Sequence, residues 1–214
     1  MKLAFMLLWC SITVTQAVPS KMLKMVVRRE APDSPPGTFA AKPKTYYRAG
    51  TQYCRIEEEP DAPNGIHGVI ITNEPDSWLV NLADKSAKHV VDEGPTFNCQ
   101  LPIFVAGEEI KSAADMKKEL FQLEFGKELI FFGAPDATTK PGPAFRGAAT
   151  TAHIRKVDGS QIYLFMGDDT GKPVAIAMQK ADKRVIYWYE DFEEVPFDSK
   201  LFARPEGVTM EEVK

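Results

Sequence analysis

The sequence has 214 residues, of which 44% are hydrophobic and 26% are charged, and its formal net charge is −4. This length and apolar content suit one globular domain with a buried core. Because the chain has no basic surplus, it lacks the electrostatic attraction that nucleic-acid binding needs, and composition argues against that class of function.

The first seventeen residues have the pattern of a secretory signal. Lys2 supplies a short positive region, residues 3–10 form a compact apolar core, and small residues stand at −3 and −1 of a cleavage site after Ala17. The apolar run is much shorter than the roughly 20 residues of a membrane span. We therefore predict a signal peptide over residues 1–17, a single mature domain over residues 18–214, and a periplasmic or secreted location.

The three cysteines bear on this interpretation. Cys10 would be the acylated residue of a lipoprotein signal, but Trp9 occupies the preceding position, where a small residue is required. Removal of the signal leaves Cys54 and Cys99, which can pair in an oxidising compartment or remain as two buried thiols. A disulfide between them would close a loop of about 45 residues and contribute roughly 3 to 4.7 kcal/mol in the chain-entropy model.

Alternating apolar residues, with turn residues between them, predict two blocks of antiparallel strands. Asp158 and Gly159 form one such turn, since an Asp-Gly pair tolerates the backbone angles of a tight hairpin. The first strand, residues 20–30, has a short helix as its alternative. The predicted strands are residues 20–30, 45–49, 52–58, 68–72, 77–82, 88–91, 145–157, 160–166, 173–179 and 185–195.

A helix is predicted between the two blocks. Ser112 has the character of an N-cap with Asp115 three residues later, and Gly126 suits the left-handed position after a helix. A helix over residues 112–125 would lay its apolar stripe across the concave face of a curved antiparallel sheet. The predicted fold class is therefore mainly β with an inserted helix (α+β). The stripe consists of Met116, Leu120, Phe121, Leu123 and Phe125.

Motifs for catalysis, metals and cofactors are missing. None of the three histidines stands at a ligand spacing from another histidine, cysteine or carboxylate, and nucleophile-elbow, phosphate-loop and dinucleotide motifs are absent. We therefore predict no catalytic residue, no metal and no cofactor. Asp168 and Asp169 are interpreted as hairpin-turn residues.

Large aromatic and methionine side chains are the main candidates for a binding site. Such side chains form adaptable linings for an apolar ligand, although they can equally fill a solid core. The residues that we expect to line an apolar cavity between sheet and helix are Trp78, Met116, Leu120, Phe121, Phe125, Tyr163, Phe165 and Trp188.

Four stretches, in this order, resemble the LolA/LolB-like family of periplasmic lipoprotein carriers. They are residues 51–57, with an Arg-x-Glu; residues 77–91, a Trp-containing hairpin; residues 174–195, ending in Asp-Phe-x-x-Val; and residues 201–208, with a Phe-x-x-Pro-x-Gly-Val tail. The resemblance implies an unclosed β half-barrel whose concave side is capped by helices around a cavity that holds acyl chains. The chain departs from the family in its proline-rich residues 31–44 and its two cysteines, and no carrier pocket residue is transferred.

The leading hypothesis is an exported, monomeric, non-enzymatic protein that binds a lipid, an acyl chain or a lipoprotein. Transient contact with a membrane surface or an envelope protein would accompany this role. One alternative is an envelope interaction or sensor module with a solid core. Another is a cofactor-free small-molecule enzyme, for which the candidate polar residues are Arg48, Arg55, His153 and Glu190.

Overall fold

The computed structural model describes residues 18–104, 119–180 and 183–213. These residues form one twelve-stranded sheet with a short helix, α1 (Glu128–Phe132). The strands are β1 (Lys21–Glu30), β2 (Lys44–Ala49), β3 (Tyr53–Glu58), β4 (Gly68–Asn73), β5 (Asp76–Asn81), β6 (Ser86–Val91), β7 (Thr138–Pro141), β8 (Thr150–Val157), β9 (Ser160–Gly167), β10 (Pro173–Lys180), β11 (Lys183–Pro196) and β12 (Thr209–Glu212).

Strand β1 joins the two predicted blocks into one sheet. It pairs antiparallel with β2 on one side and with β11 on the other, and the strand order is β12-β6-β5-β4-β3-β2-β1-β11-β10-β9-β8-β7. The edge strands β12 and β7 do not pair with each other, so the sheet is not closed into a barrel. The predicted fold class, mainly β with an unclosed antiparallel sheet, is confirmed, with one exception: β12 pairs parallel with β6.

The predicted strands were placed correctly to within a few residues, with one larger error. Residues 145–149 lie outside β8 and form a tight turn, in which Phe145 and Ala148 exchange backbone hydrogen bonds and Arg146 and Gly147 have positive φ. Two edge strands, β7 and β12, were not predicted, because both are short and their residues are mostly exposed.

The predicted central helix is wrong in its described part. Residues 112–118 lie outside the described residues, and residues 119–122 form a single 3-10 turn. Leu123 and Phe125 are extended: the Ile103 N–H donates to the Leu123 carbonyl at 2.9 Å, and the Phe125 N–H donates to the Leu101 carbonyl at 2.8 Å. Pairing with a neighbouring segment thus overrides the helical spacing, and the α-helix begins only at Glu128.

Both faces of the sheet bury apolar side chains. Side chains of directly paired residues lie on the same face of the sheet. The strand registers place Met25, Tyr46 and Ile176 on a first face, and Trp78 and Trp188 on a second face. Residues 97–104 and 119–132, which we call the central segment, cover the middle strands on the first face. Residues 197–208, the C-terminal segment, cover β2 to β6 on the second face.

Buried polar bonds hold the central segment to the sheet. Arg48 is 4% exposed, and its Nη1 donates to Glu124 at 2.8 Å and to the Phe125 carbonyl at 2.9 Å. A disulfide joins Cys54 of β3 to Cys99 of the central segment, with a Cα–Cα distance of 6.2 Å. The first face is therefore covered by a segment that is tied down covalently and electrostatically.

Candidate functional site

The sheet separates the predicted cavity residues into two groups. Phe121 and Phe125 are buried on the first face, and Leu120 packs against the same core. Tyr163, Phe165 and Trp188 lie on the second face, because they pair with residues whose side chains point away from the central segment. Met116 lies outside the described residues.

Phe125 packs against three aromatic side chains of the sheet on the first face. Its ring centroid lies 4.2 Å from that of Tyr46, 5.7 Å from Tyr187 and 6.3 Å from Tyr189. Phe104 adds an edge contact with Tyr187 at 5.5 Å. Around these rings, side chains of the described residues occupy the gap between central segment and sheet.

Trp78 belongs to a separate apolar cluster beneath the C-terminal segment. It packs with Val69, Ile71 and Val80, and its indole stacks on His89 with centroids 5.4 Å apart. Its Nε1 is buried and has no hydrogen-bond partner within the described part of the chain. The structure thus separates Trp78 from the other predicted cavity residues.

Tyr163, Phe165 and Trp188, by contrast, form the walls of one pocket on the second face. Strand β10 runs between β9 and β11, and its residue Ala175 pairs with Phe165 on one side and with Trp188 on the other. Ala177 lies between Tyr163 and Ile186 in the same way. Two small side chains are therefore flanked by four large ones, which leaves a channel along β10. We call this channel the aromatic trough.

One end of the aromatic trough is closed by Phe145. The turn at residues 145–148 lays this ring 5.1 Å from Phe165 and 5.2 Å from Trp188, both edge-on. The trough has a volume of about 280 Å³, and Arg184 lies at its other end. Lys140 of the edge strand β7 stands 6.0 Å over the Tyr163 ring. The walls of the pocket are thus mainly apolar, and cations border it.

A second apolar surface lies on the first face, beyond the edge of the central segment. Over β3 to β6 this face forms a groove of about 530 Å³. Ile70 and Leu79 line it and are 41% and 48% exposed, while Ile56 is half-buried. Lys88 and Glu211 form an ion pair at its rim, with Nζ and Oε2 3.6 Å apart. We call this surface the aliphatic groove.

A buried carboxyl group lies deep in the first-face core. Glu128 is 2% exposed; its Oε1 accepts hydrogen bonds from the Tyr189 hydroxyl at 2.5 Å and from the Gly126 N–H at 2.9 Å. Burial raises the pKa of Glu128, and these two bonds only partly offset the effect. For Glu124, burial also opposes ionisation, but bonds from Lys127 and Arg48 outweigh it and keep its pKa below the ordinary value.

The four polar residues considered for an enzyme are not brought together. Arg48 bonds to Glu124 on the first face, Arg55 bonds to Glu57 on the second face, and Glu190 bonds to Arg28. His153 lies on β8, opposite Leu164. No bond joins any two of the four within the described ranges. Those ranges also contain no group of three or more metal-binding side chains and no helix long and apolar enough to cross a membrane.

No protein-family model and no curated protein matches the sequence significantly. Among solved structures, the chain is similar to an uncharacterized conserved protein from Thermus thermophilus, with 8% identity, a TM-score of 0.49 and 91% of each chain covered. It is also similar to a LolA superfamily protein from Nitrosomonas europaea, with 11% identity, a TM-score of 0.34, and 87% and 90% of the two chains covered. LprF from Mycobacterium bovis gives 11% identity and a TM-score of 0.34, with 81% and 85% covered.

The predicted family resemblance thus recurs among solved structures, which include a LolA superfamily protein. At these identities and TM-scores the similarity carries no information on what the chain binds.

The residues that shape the aromatic trough were only partly predicted from the sequence. Ala175 and Ala177 form its floor, and Phe145 closes its end. An Ala-x-Ala alternation between two strands with alternating aromatics is visible in the sequence. Its meaning depends on strand register, however, because a shift of one residue would place the alanines on the opposite face from the aromatic residues.

Proposed function

We propose that the protein binds an apolar ligand, a lipid or an acyl chain, in the aromatic trough. One observation carries the proposal: the alanine floor of β10 lies between the aromatic walls of β9 and β11 and leaves a volume of about 280 Å³. In a solid sheet surface, larger side chains on the central strand would close this gap. The gap is lined by residue types that favour apolar ligands.

The driving force is the transfer of apolar surface out of water. Each buried methylene contributes about 0.8 kcal/mol, and the flat rings of Tyr163 and Phe165, which are parallel with centroids 5.9 Å apart, offer a long wall for a chain to lie against. Such a mechanism needs no catalytic residue, and we propose a non-enzymatic carrier or binding protein.

The proposed setting is outside the cytoplasm. The N-terminal pattern supports cleavage after Ala17, and a disulfide such as Cys54–Cys99 persists mainly in oxidising compartments. We propose a periplasmic or secreted monomer that carries a lipid, an acyl chain or the acyl group of a lipoprotein, with transient contact to a membrane surface or an envelope protein.

The test begins with the protein as its cells produce it. Mature protein recovered from the periplasm is extracted and analysed for lipid by mass spectrometry, and delipidated protein is titrated with the neutral probe N-phenyl-1-naphthylamine. We expect a co-purified lipid and saturable binding of the probe. A protein that carries no lipid and does not bind the probe would contradict the proposed function.

Two variants then locate the site. Ala177→Phe fills the floor of the trough and should weaken binding of the probe at least tenfold, because the ring would occupy the ligand's volume. Ala62→Phe adds the same ring on an exposed loop and should leave binding unchanged. Leu79→Ser tests the aliphatic groove; if it removes binding while Ala177→Phe does not, the ligand lies on the first face instead.

A further inference from the structure

A crevice between the sheet and the C-terminal segment has a different chemistry from the aromatic trough. It lies on the second face over β3 to β5, beside residues 200–206, and has a volume of about 510 Å³. Its floor is apolar: Ile71 and Val80 are each 4% exposed, and Leu82 at its border is 40% exposed. We call this site the basic crevice, because its rim carries three cations.

Arg55 is the fixed cation of the rim. Its side chain is 14% exposed; Nε and Nη2 donate to Glu57 at 3.3 and 3.1 Å, and Nη1 donates to the Leu201 carbonyl at 3.1 Å. A guanidinium has five N–H donors. These bonds use three, so two donors of a partly buried and pre-oriented group remain for a ligand.

Lys200 and Arg204 are the other two cations. They are exposed, they line the crevice, and neither side chain has an ion pair or hydrogen bond within residues 18–104, 119–180 and 183–213. One carboxylate, Glu206, shares the rim. Counted with Glu57, which pairs with Arg55, three positive and two negative charges give this site a net charge of +1 on a chain whose total is −4.

We propose that the basic crevice binds a single-chain carboxylate amphiphile, such as a free fatty acid, with its carboxylate among Arg55, Lys200 and Arg204. A carboxylate matches the planar donor geometry of arginine, and a charge-assisted bond at a partly buried guanidinium is stronger than one at the surface. The apolar floor then takes the first part of the chain. This site is separate from the aromatic trough, which needs no charge on its ligand.

The test is a titration of the mature, disulfide-bonded protein monitored by amide NMR. Decanoate is compared with decanol, which lacks the charge, and with acetate, which lacks the chain, all below micelle-forming concentrations. We expect decanoate to shift the amide signals of Leu82 and Ala203 in a saturable way. The shifts of these two amides should show that decanol and acetate each bind at least tenfold more weakly than decanoate. Ala177 reports on the aromatic trough in the same spectra, so failure at one site is distinguishable from failure at the other.

Charge-reversal variants test whether the cations of the rim bind the carboxylate. Lys200→Glu combined with Arg204→Glu should weaken decanoate binding at the crevice at least tenfold. The matched control, Lys156→Glu with Lys172→Glu, reverses the charge of two exposed lysines outside the crevice. It should leave decanoate binding at the crevice unchanged. The arginine-lysine exchange Lys200→Arg with Arg204→Lys should retain binding within threefold.

Three results would overturn the proposal. Equal affinity for acetate and decanoate would show a simple anion site, and equal affinity for decanol and decanoate would show that the rim charges do not matter. Shifts that arise only with vesicles of phosphatidylglycerol, and not with decanoate, would show that the crevice contacts a membrane surface.

Discussion

The Tyr189 hydroxyl donates a hydrogen bond to Oε1 of Glu128 at 2.5 Å, in the core between the central segment and β11. Both side chains are buried, and the bond links the start of α1 to the longest strand of the sheet. This pair therefore contributes to the attachment of the central segment to the sheet.

The first prediction concerns Glu128. Because burial raises its pKa above the ordinary value of 4.5, the folded state holds the proton more tightly than the unfolded state. The resulting contribution to stability is complete below pH 4.5 and is lost as the pH rises through the raised value. Glu128→Gln keeps both hydrogen bonds without ionising. Its free energy of unfolding, measured in urea at pH 4, 6 and 8, should therefore exceed that of the wild type increasingly as pH rises.

The exposed Glu93→Gln variant is the matched control and should follow the wild-type curve at every pH. Parallel curves for Glu128→Gln and the wild type would contradict the prediction, since they would mean that Glu128 does not titrate differently on folding.

The second prediction concerns the buried ion pair of Arg48 and Glu124, whose side chains are 3% and 8% exposed. Arg48→Met leaves a buried carboxylate with Lys127 as its remaining cation, and loss of one partner from a buried pair costs about 3–5 kcal/mol. Urea unfolding should show a loss of this size. Lys21→Met removes an exposed partner of Glu194 and should cost less than about 1 kcal/mol. Similar losses in the two variants would contradict the assigned burial.

The third prediction concerns the disulfide between Cys54 and Cys99, which are 45 residues apart. Replacing both with serine should lower the free energy of unfolding by about 2–5 kcal/mol, because the unfolded chain gains the freedom of an open loop. Unfolding with and without a reductant measures this loss. The reductant should destabilise the wild type and leave the double serine variant unchanged; equal stability of all four samples would exclude a bonded pair.

The fourth prediction concerns His89, which lies between two carboxylates. Its Nε2 is 2.7 Å from Asp76 and its Nδ1 is 2.5 Å from Glu212 of β12. These bonds, first with Asp76 and then with Glu212, raise the pKa of His89 above 6.5. Protonated His89 therefore helps to hold β12 on the sheet. This contribution is fully present below pH 6.5 and is lost as the pH rises through the raised pKa. As pH rises, the protection of the β12 amides from exchange, relative to the rate in an unfolded chain, should accordingly decrease.

Glu212→Gln should lower the pKa of His89, as followed by NMR of the ring. Glu211→Gln is the control, because Glu211 contacts Lys88 on the first face and not His89. An equal decrease of the His89 pKa in both variants would show a general charge effect instead of a specific contact.

The sequence by itself determined most of the strands of this protein. Period-two alternation marks which residues can form one face of a strand, as in Ile162, Leu164 and Met166 of β9, and Asp158-Gly159 marks the hairpin before it. These signals are local, and the mainly β fold class follows from them. Edge strands such as β7 were missed because exposed residues carry no alternation.

Tertiary structure decided where the strands meet and what each face contacts. The helical spacing up to Phe125 was overridden because residues 123–125 form hydrogen bonds with residues 101–103, which no local pattern reveals. In the same way, only the pairing of Ala175 with Phe165 and Trp188 places these aromatic residues around one channel and away from Phe125. Alternation in sequence defines two faces, but register and the covering segments decide which becomes core and which remains open to a ligand.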